Sequence, residues 1–324
     1  YQPSGRNGKL VKALFPWLHG VPFVRKVIRA ERLCCKLSDK LEQLLCRLFH
    51  EEEVEFSIFG GTPCVHQKVT IQLSKGCHIL GYCKVTDSRE VAALFRSEAD
   101  LLERLKRHGM EGVPQALFCG ELTGGVFLFV QNTTKTQQSK VPHKWGILHE
   151  QFLNELQKRT LQKVEFEKSD YRETLQNLRA HLDWLPQFMN RAAVEKAIDN
   201  VINFYKGKRI DFSAYHADFT PWNMFVENGR LFVFDWEYAR MTYPPMLDRY
   251  HFFTQTAIFE KHWQGKEIIE FLQSSDANWI NRESYILYLL DIISRFTVRE
   301  KGTVNGDIAR SMKVWNDLLA FLSK

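Results

Sequence analysis

The spacing of apolar residues changes character twice along the chain, and each change predicts a different kind of structure. Residues 1–52 mix basic side chains with Leu14, Phe15, Trp17 and Leu18, are interrupted at Pro16 and Gly20, and then run on with a helical spacing. This predicts a helical extension. From residue 53 the period shortens to two: Val69, Ile71 and Leu73 alternate with polar neighbours, Val65 precedes them, and HILGYCKV follows the Lys75-Gly76 turn. Two or three antiparallel strands are expected there. Over 88–107 the spacing returns to three and four, with Val91, Leu94, Phe95, Leu101, Leu102 and Leu105 on one side of a helix. A strand near Gln115 to Cys119, a Gly124-Gly125 turn and the strand VFLFVQ close this region. Beyond Asn132 the pattern is mainly helical, interrupted only by residues 210–235. The reading is α+β, with a 1–52 extension, a small sheet-bearing lobe over 53–131 and a larger, mainly helical lobe over 132–324.

Composition narrows the class. With 324 residues, 44% of them hydrophobic, the chain can bury one large core or two modest lobes. No apolar run reaches membrane-spanning length and residues 1–30 lack a signal-peptide pattern, so a cytoplasmic protein is expected. The seven cysteines are odd in number, confined to the first 119 residues and free of any CxxC pair, which predicts reduced thiols. The formal charge of +6 is unevenly placed: residues 1–50 hold ten Lys/Arg against three acids, and the remainder of the chain is close to neutral. Such a segment is drawn to phosphate-bearing surfaces, and peripheral contact with an anionic membrane through residues 1–50 is the expectation drawn from it. A solvated helix packed on the small lobe is the competing reading. Nucleic acid is not an expected partner, because no recognised binding motif accompanies the charge.

Chemistry concentrates in YHADFTPWNMFVENGRLFVFDWE. Asn228-Gly229 between two apolar runs is a strong hairpin signal, since both residues tolerate positive φ. Its register pairs 227 with 230 and, continued backward, 223 with 234. Asn223 and Asp235 therefore come to the open end one residue out of step, so the strand ends must splay for both to serve one ion. Asn and Asp oxygens are ligands that Mg²⁺ takes together with nucleotide phosphates. Asp218, five residues before Asn223, can reach the same chemistry, and His216 is placed to brace the loop.

These residues resemble the aminoglycoside phosphotransferase and choline kinase-like family. The family's HxDxxxxN loop is matched by His216, Asp218 and Asn223, and its metal-binding Asp by Asp235 in FDWE. The resemblance implies a two-lobed protein-kinase-like fold, with a small antiparallel-sheet N-lobe that binds nucleotide and a mainly helical C-lobe for catalysis and acceptor. It also implies ATP and Mg²⁺ as cofactors, Asp218 as catalytic base with His216 in the catalytic loop, and Asn223 and Asp235 as metal ligands. Independently, Glu98 falls on the apolar stripe of its helix, where a carboxylate is costly unless paired, and Lys84 on the preceding strand is the natural partner. In kinase-like folds such a Lys holds the α and β phosphates and is oriented by the helix Glu, a pair that Lys84 and Glu98 resemble. Gly60 and Gly61 stand where a phosphate loop would lie, without GxGxxG, and Gln131 occupies the place of the adenine-binding hinge. Asp248 resembles the later family Asp that braces the catalytic loop, a role compatible with its serving as a helix N-cap ahead of RYHFF.

Twelve residues between Asp235 and Asp248, with no DFG and no APE, leave no room for a long activation loop, so a small-molecule acceptor is expected over a protein. The large lobe carries Trp184, Trp222, Trp263, Trp279, Tyr285 and Tyr288, which could stack on a sugar or enclose a quaternary ammonium, although most such residues are core. The absence of an acidic run there disfavours a polycationic antibiotic. A sugar or lipid-linked glycan is the expected acceptor. The alternative function is a nucleotide-binding pseudokinase acting as an interaction module, against which the complete set of Lys84, Glu98, Asp218, Asn223 and Asp235 argues.

Overall fold

Helix α1 (Asp39–Phe49) opens the part of the chain that the computed structural model describes, residues 36–60 and 66–324. Ser38 caps it by accepting the Leu41 N–H, and His50 ends it in a left-handed turn. Five strands follow: β1 (Glu55–Phe59), β2 (Val69–Lys75), β3 (His78–Thr86), β4 (Ala116–Glu121) and β5 (Phe127–Asn132), with helix α2 (Arg89–Arg107) between β3 and β4. They form one antiparallel sheet in the order β1-β2-β3-β5-β4. Alternation gives the sheet two faces. Ile71, Leu73, Cys83, Leu128 and Val130 share a core with Leu37, Leu41 and Leu45, so α1 covers one face. The described end of the N-terminal segment is thus packed structure. Most of its basic residues lie in 1–35, outside the described residues, as does the membrane expectation attached to them. The other face carries Gln72, Lys84, Phe129 and Gln131, and Phe129 meets Phe95 of α2 at 6.1 Å between ring centroids. Gly81 is required on β3, because a Cβ there would lie 2.2 Å from the Gln131 carbonyl oxygen.

The chain continues through α3 (Ile147–Thr160), β6 (Gln162–Glu165), α4 (Asp170–Ala180), α5 (Arg191–Tyr205) and β7 (Arg209–Tyr215). The hairpin of β8 (Met224–Glu227) and β9 (Arg230–Val233) has the expected register, Glu227 opposite Arg230 and Met224 opposite Val233. After it come β10 (Arg240–Tyr243), α6 (Leu247–Phe259), α7 (Gly265–Leu272), α8 (Arg282–Glu300) and α9 (Gly306–Leu322). Two compact units result. One gathers the five-stranded sheet with the segments 111–142 and 224–237; the other holds 107–110, 143–223 and 238–324.

The second unit is not interrupted by strand only at 210–235, as the apolar pattern suggested. β7 pairs with β6 on one side and β10 on the other, a small antiparallel sheet in the order β10-β7-β6. QKVE and RMTY are four residues long, too short for alternation to stand out, and β6 finds its partner far along the sequence. The core of this unit is helical and aromatic. Tyr171, Leu175, Ile198, Tyr215, Tyr285 and Trp315 are buried in it, and Tyr215 and Tyr243 donate their hydroxyls to Asp291 at 2.9 and 3.0 Å. No helix among the described residues is long and apolar enough to cross a membrane.

Candidate active site

In the second unit the loop after β7 is held from several sides. Ala217 takes a left-handed φ of 73°, which turns the chain between His216 and Asp218. Asp248, in the first turn of α6, accepts the backbone N–H of His216 at 2.9 Å and of Ala217 at 3.0 Å, one on each carboxylate oxygen. Arg295 of α8 donates to the Ala217 carbonyl at 2.6 Å and to Asp291 at 2.8 Å. His216, fully buried, accepts the Asp218 N–H on Nδ1 at 3.1 Å. Asp248 is therefore a brace and not an N-cap. The cap position is Met246, itself left-handed at φ 67°.

Asp218 is gripped through both oxygens. Asn223, at the end of the short turn Pro221–Asn223, donates its Nδ2 to Asp218 Oδ2 at 2.7 Å and to the Asp218 carbonyl at 3.0 Å. His251 Nε2 lies 3.0 Å from Oδ1. Burial works to raise the Asp218 carboxyl, yet the His251 hydrogen bond and the charge of Arg295 hold it below its ordinary value. Burial pushes the Asp248 carboxyl up to about 7 against the two N–H groups it accepts.

In the first unit a cluster of five charges forms where the sheet, α2 and the segment after β9 meet. Lys84 Nζ sits 2.9 and 2.7 Å from the two Glu98 oxygens and 2.7 Å from Asp235 Oδ1. Glu98, with no exposed surface, also accepts the Trp236 N–H at 3.2 Å. Lys68 reaches Asp235 Oδ1 at 3.4 Å and pairs closely with Glu237. Asp235 has a left-handed φ of 68°. Three carboxylates against two ammonium groups leave one carboxylate in excess. Burial and the adjacent Asp235 push Glu237 up to about 7. Burial opposes ionisation at Asp235 as well, but Lys84 and Lys68 hold it well below the carboxylate range, and both lysines stay charged.

Lys68, Lys84 and Asp235 line a cavity of about 290 Å³ together with Gln72, Tyr82, Gln131, Phe225 and Phe232. Gln131 is buried there, and its side-chain oxygen has no hydrogen-bond partner among the described residues. Gly60, at the end of β1, gives its carbonyl to Gln67 Nε2 at 2.8 Å, while Gly61 lies outside the described residues. Each unit thus brings together its own share of the expected residues: Lys84, Glu98, Gln131 and Asp235 in one; His216, Asp218, Asn223 and Asp248 in the other. Four partners were not anticipated. Glu237 stands two residues after Asp235 and His251 three after Asp248, spacings that could have flagged both. Lys68 and Arg295 carry no comparable local signal.

The sequence pattern of the phosphotransferase enzyme family matches residues 82–274. The chain belongs to that family. No curated protein sequence matches it. Among solved structures, a thermostable mutant of the aminoglycoside phosphotransferase APH(4)-Ia, in ternary complex with ADP and hygromycin B, is 13% identical; the alignment covers 87% of this chain and 98% of that one, with a TM-score of 0.57. Its apo form aligns with a TM-score of 0.56 over 86% of this chain and 98% of its own, at 13% identity. The choline kinase LicA from Streptococcus pneumoniae is 16% identical over 87% of this chain and 99% of its own, with a TM-score of 0.47. The fold is that of the protein-kinase-like phosphotransferases.

Proposed function

We propose that this phosphotransferase moves the γ-phosphoryl group of ATP, as its magnesium complex, to a hydroxyl of a small molecule, with a sugar or lipid-linked glycan as the favoured acceptor. The observation that carries the reading is the geometry at Asp218: a carboxylate held through both oxygens by Asn223 and His251 and backed by a braced loop. That is what a base needs in order to orient an attacking hydroxyl and take its proton. His216 supports the loop through Asp218 N–H. In the region 53–131, Lys84, oriented by Glu98, serves the nucleotide phosphates, and Gln131 with Gly60 and Gly61 borders the nucleotide. The region 132–324 supplies the base and the acceptor site.

Asp235 and Asn223 are the proposed metal ligands. The donor chemistry fits a hard cation, because Asp235 Oδ2 makes no hydrogen bond among the described residues and the Asn223 amide keeps its oxygen outside the bond it donates to Asp218. Bound there, Mg²⁺ would neutralise charge on the phosphates during transfer.

For the acceptor, a cavity of about 650 Å³ in the second unit is walled by Trp145, Phe252, Phe253 and Trp279, with Arg249 and Glu260 among its polar groups. Flat rings beside mixed donors and acceptors suit a sugar. Trp145 and Phe252 both pack against Phe219, the residue after Asp218. The testing experiment is a screen of sugars, nucleosides, choline and glycolipids with γ-labelled ATP, scored against Asp218→Ala. Transfer to one class by the native chain, absent in the variant, supports the reading; transfer that persists in Asp218→Ala overturns the role of Asp218.

A further inference from the structure

We propose that His251 is a positioning residue for Asp218, donating its Nε2–H to one carboxylate oxygen so that the plane of the base is fixed for the incoming hydroxyl. The inference rests on the reading of Asp218 as the base. His251 is 2% exposed, and its Nε2 lies 3.0 Å from Asp218 Oδ1. A carboxylate only accepts, so the proton of this hydrogen bond belongs to the imidazole. Burial holds the ring neutral by lowering its pKa, which leaves one proton, on Nε2, and a bare lone pair on Nδ1.

The rest of the ring's surroundings makes that arrangement hard to explain as packing. Nδ1 is buried and has no partner among the described residues, and the ring otherwise meets the edge of Tyr288 at 5.7 Å. A leucine would fill this space without stranding a polar atom. What the histidine adds is a donor aimed at Asp218.

Two donors are needed because one does not fix a carboxylate. Asn223 holds Oδ2 from within the loop, but a single hydrogen bond leaves rotation about the bond to the carboxyl group. The second, from α6 to Oδ1, removes it. Asp248, one turn earlier on α6, grips the backbone N–H groups of His216 and Ala217. One helical turn therefore sets both the path of the loop and the orientation of the side chain that the loop carries.

The test uses the full chain, Mg·ATP and water as phosphoryl acceptor, with three readouts: phosphate release, affinity for a fluorescent ATP analogue, and melting temperature. His251→Leu removes the donor at similar volume, and His251→Gln returns an amide N–H at comparable reach. The expected result is phosphate release reduced ~10–100-fold in His251→Leu with nucleotide affinity within about twofold of native, and recovery to within about fivefold in His251→Gln. In ¹⁵N-histidine-labelled protein, an Nε2-bound proton protected from exchange is expected, and its protection is lost in Asp218→Ala. Native turnover in His251→Leu, or equal loss in folded Leu and Gln variants, overturns the proposal while leaving Asp218 as base. Native turnover no faster than Asp218→Ala removes the base itself, and the proposal with it.

Discussion

Glu98 shows how much one side chain can reveal. It sits without exposed surface on the inner face of α2, between Phe95 and Leu101–Leu102, where an uncompensated carboxylate would be expelled. Lys84 and the Trp236 N–H make it tolerable. Glu98→Ala leaves the ammonium of Lys84, 5% exposed, with Asp235 as its remaining close partner, and is expected to lower unfolding stability by about 3–5 kcal/mol, read from urea denaturation. In the double variant Lys84→Met/Glu98→Leu the loss should be smaller than the sum of the single ones, since no unpaired charge is left between them. The pair was legible because a carboxylate on an apolar stripe demands a partner and a lysine stood on the adjacent strand. Lys68 and Glu237 were not. Their pairing depends on how the segment after β9 meets the sheet, and neither sits at a position where its charge conflicts with its surroundings in sequence.

Short elements, not long ones, were hidden. α2 and the β2–β3 pair declare themselves by sustained periodicity, whereas β6 and β10 become strands only because β7 lies between them. The β8–β9 hairpin was an exception, and its turn explains why. Asn228 and Gly229 adopt φ of 50° and 73°, values that those two residue types accept and most others resist. A side chain at Gly229 would meet open space, so Gly229→Val should destabilise through backbone strain alone, by about 1–2 kcal/mol in thermal or urea unfolding. The helix α6 carries a second element-scale expectation. Asp248→Ala removes the acceptors of two buried N–H groups and should cost about 2–4 kcal/mol of stability together with most phosphoryl transfer. Stability loss with undiminished transfer would show that the loop keeps its path without the brace.

The molecule as a whole should respond to pH in a way that follows from its buried carboxyls. Glu237 and Asp248 have folded values raised to about 7, so the stabilisation they confer is present when they are protonated and is lost as pH rises through that value. Each should reduce unfolding free energy by roughly 1 kcal/mol between pH 6.5 and 8. His251, whose value is lowered, acts oppositely: its contribution is lost as pH falls below the ordinary histidine range. Asp218 and Asp235, both lowered, matter only in more acidic solution. Urea unfolding should therefore show stability falling as pH rises from the ordinary carboxylate range through about 7, partly offset by His251, and Asp248→Asn should flatten that decline. The proposed function separates residues that would hold nucleotide, Lys84 and Asp235 among them, from Asp218, which would act on the acceptor. The most direct test of that division is ATP binding by calorimetry with and without Mg²⁺ in the native chain, Asp235→Ala and Asp218→Ala. Asp235→Ala should lose the tightening that Mg²⁺ confers while Asp218→Ala keeps it; native Mg²⁺-dependent binding in Asp235→Ala would contradict the account.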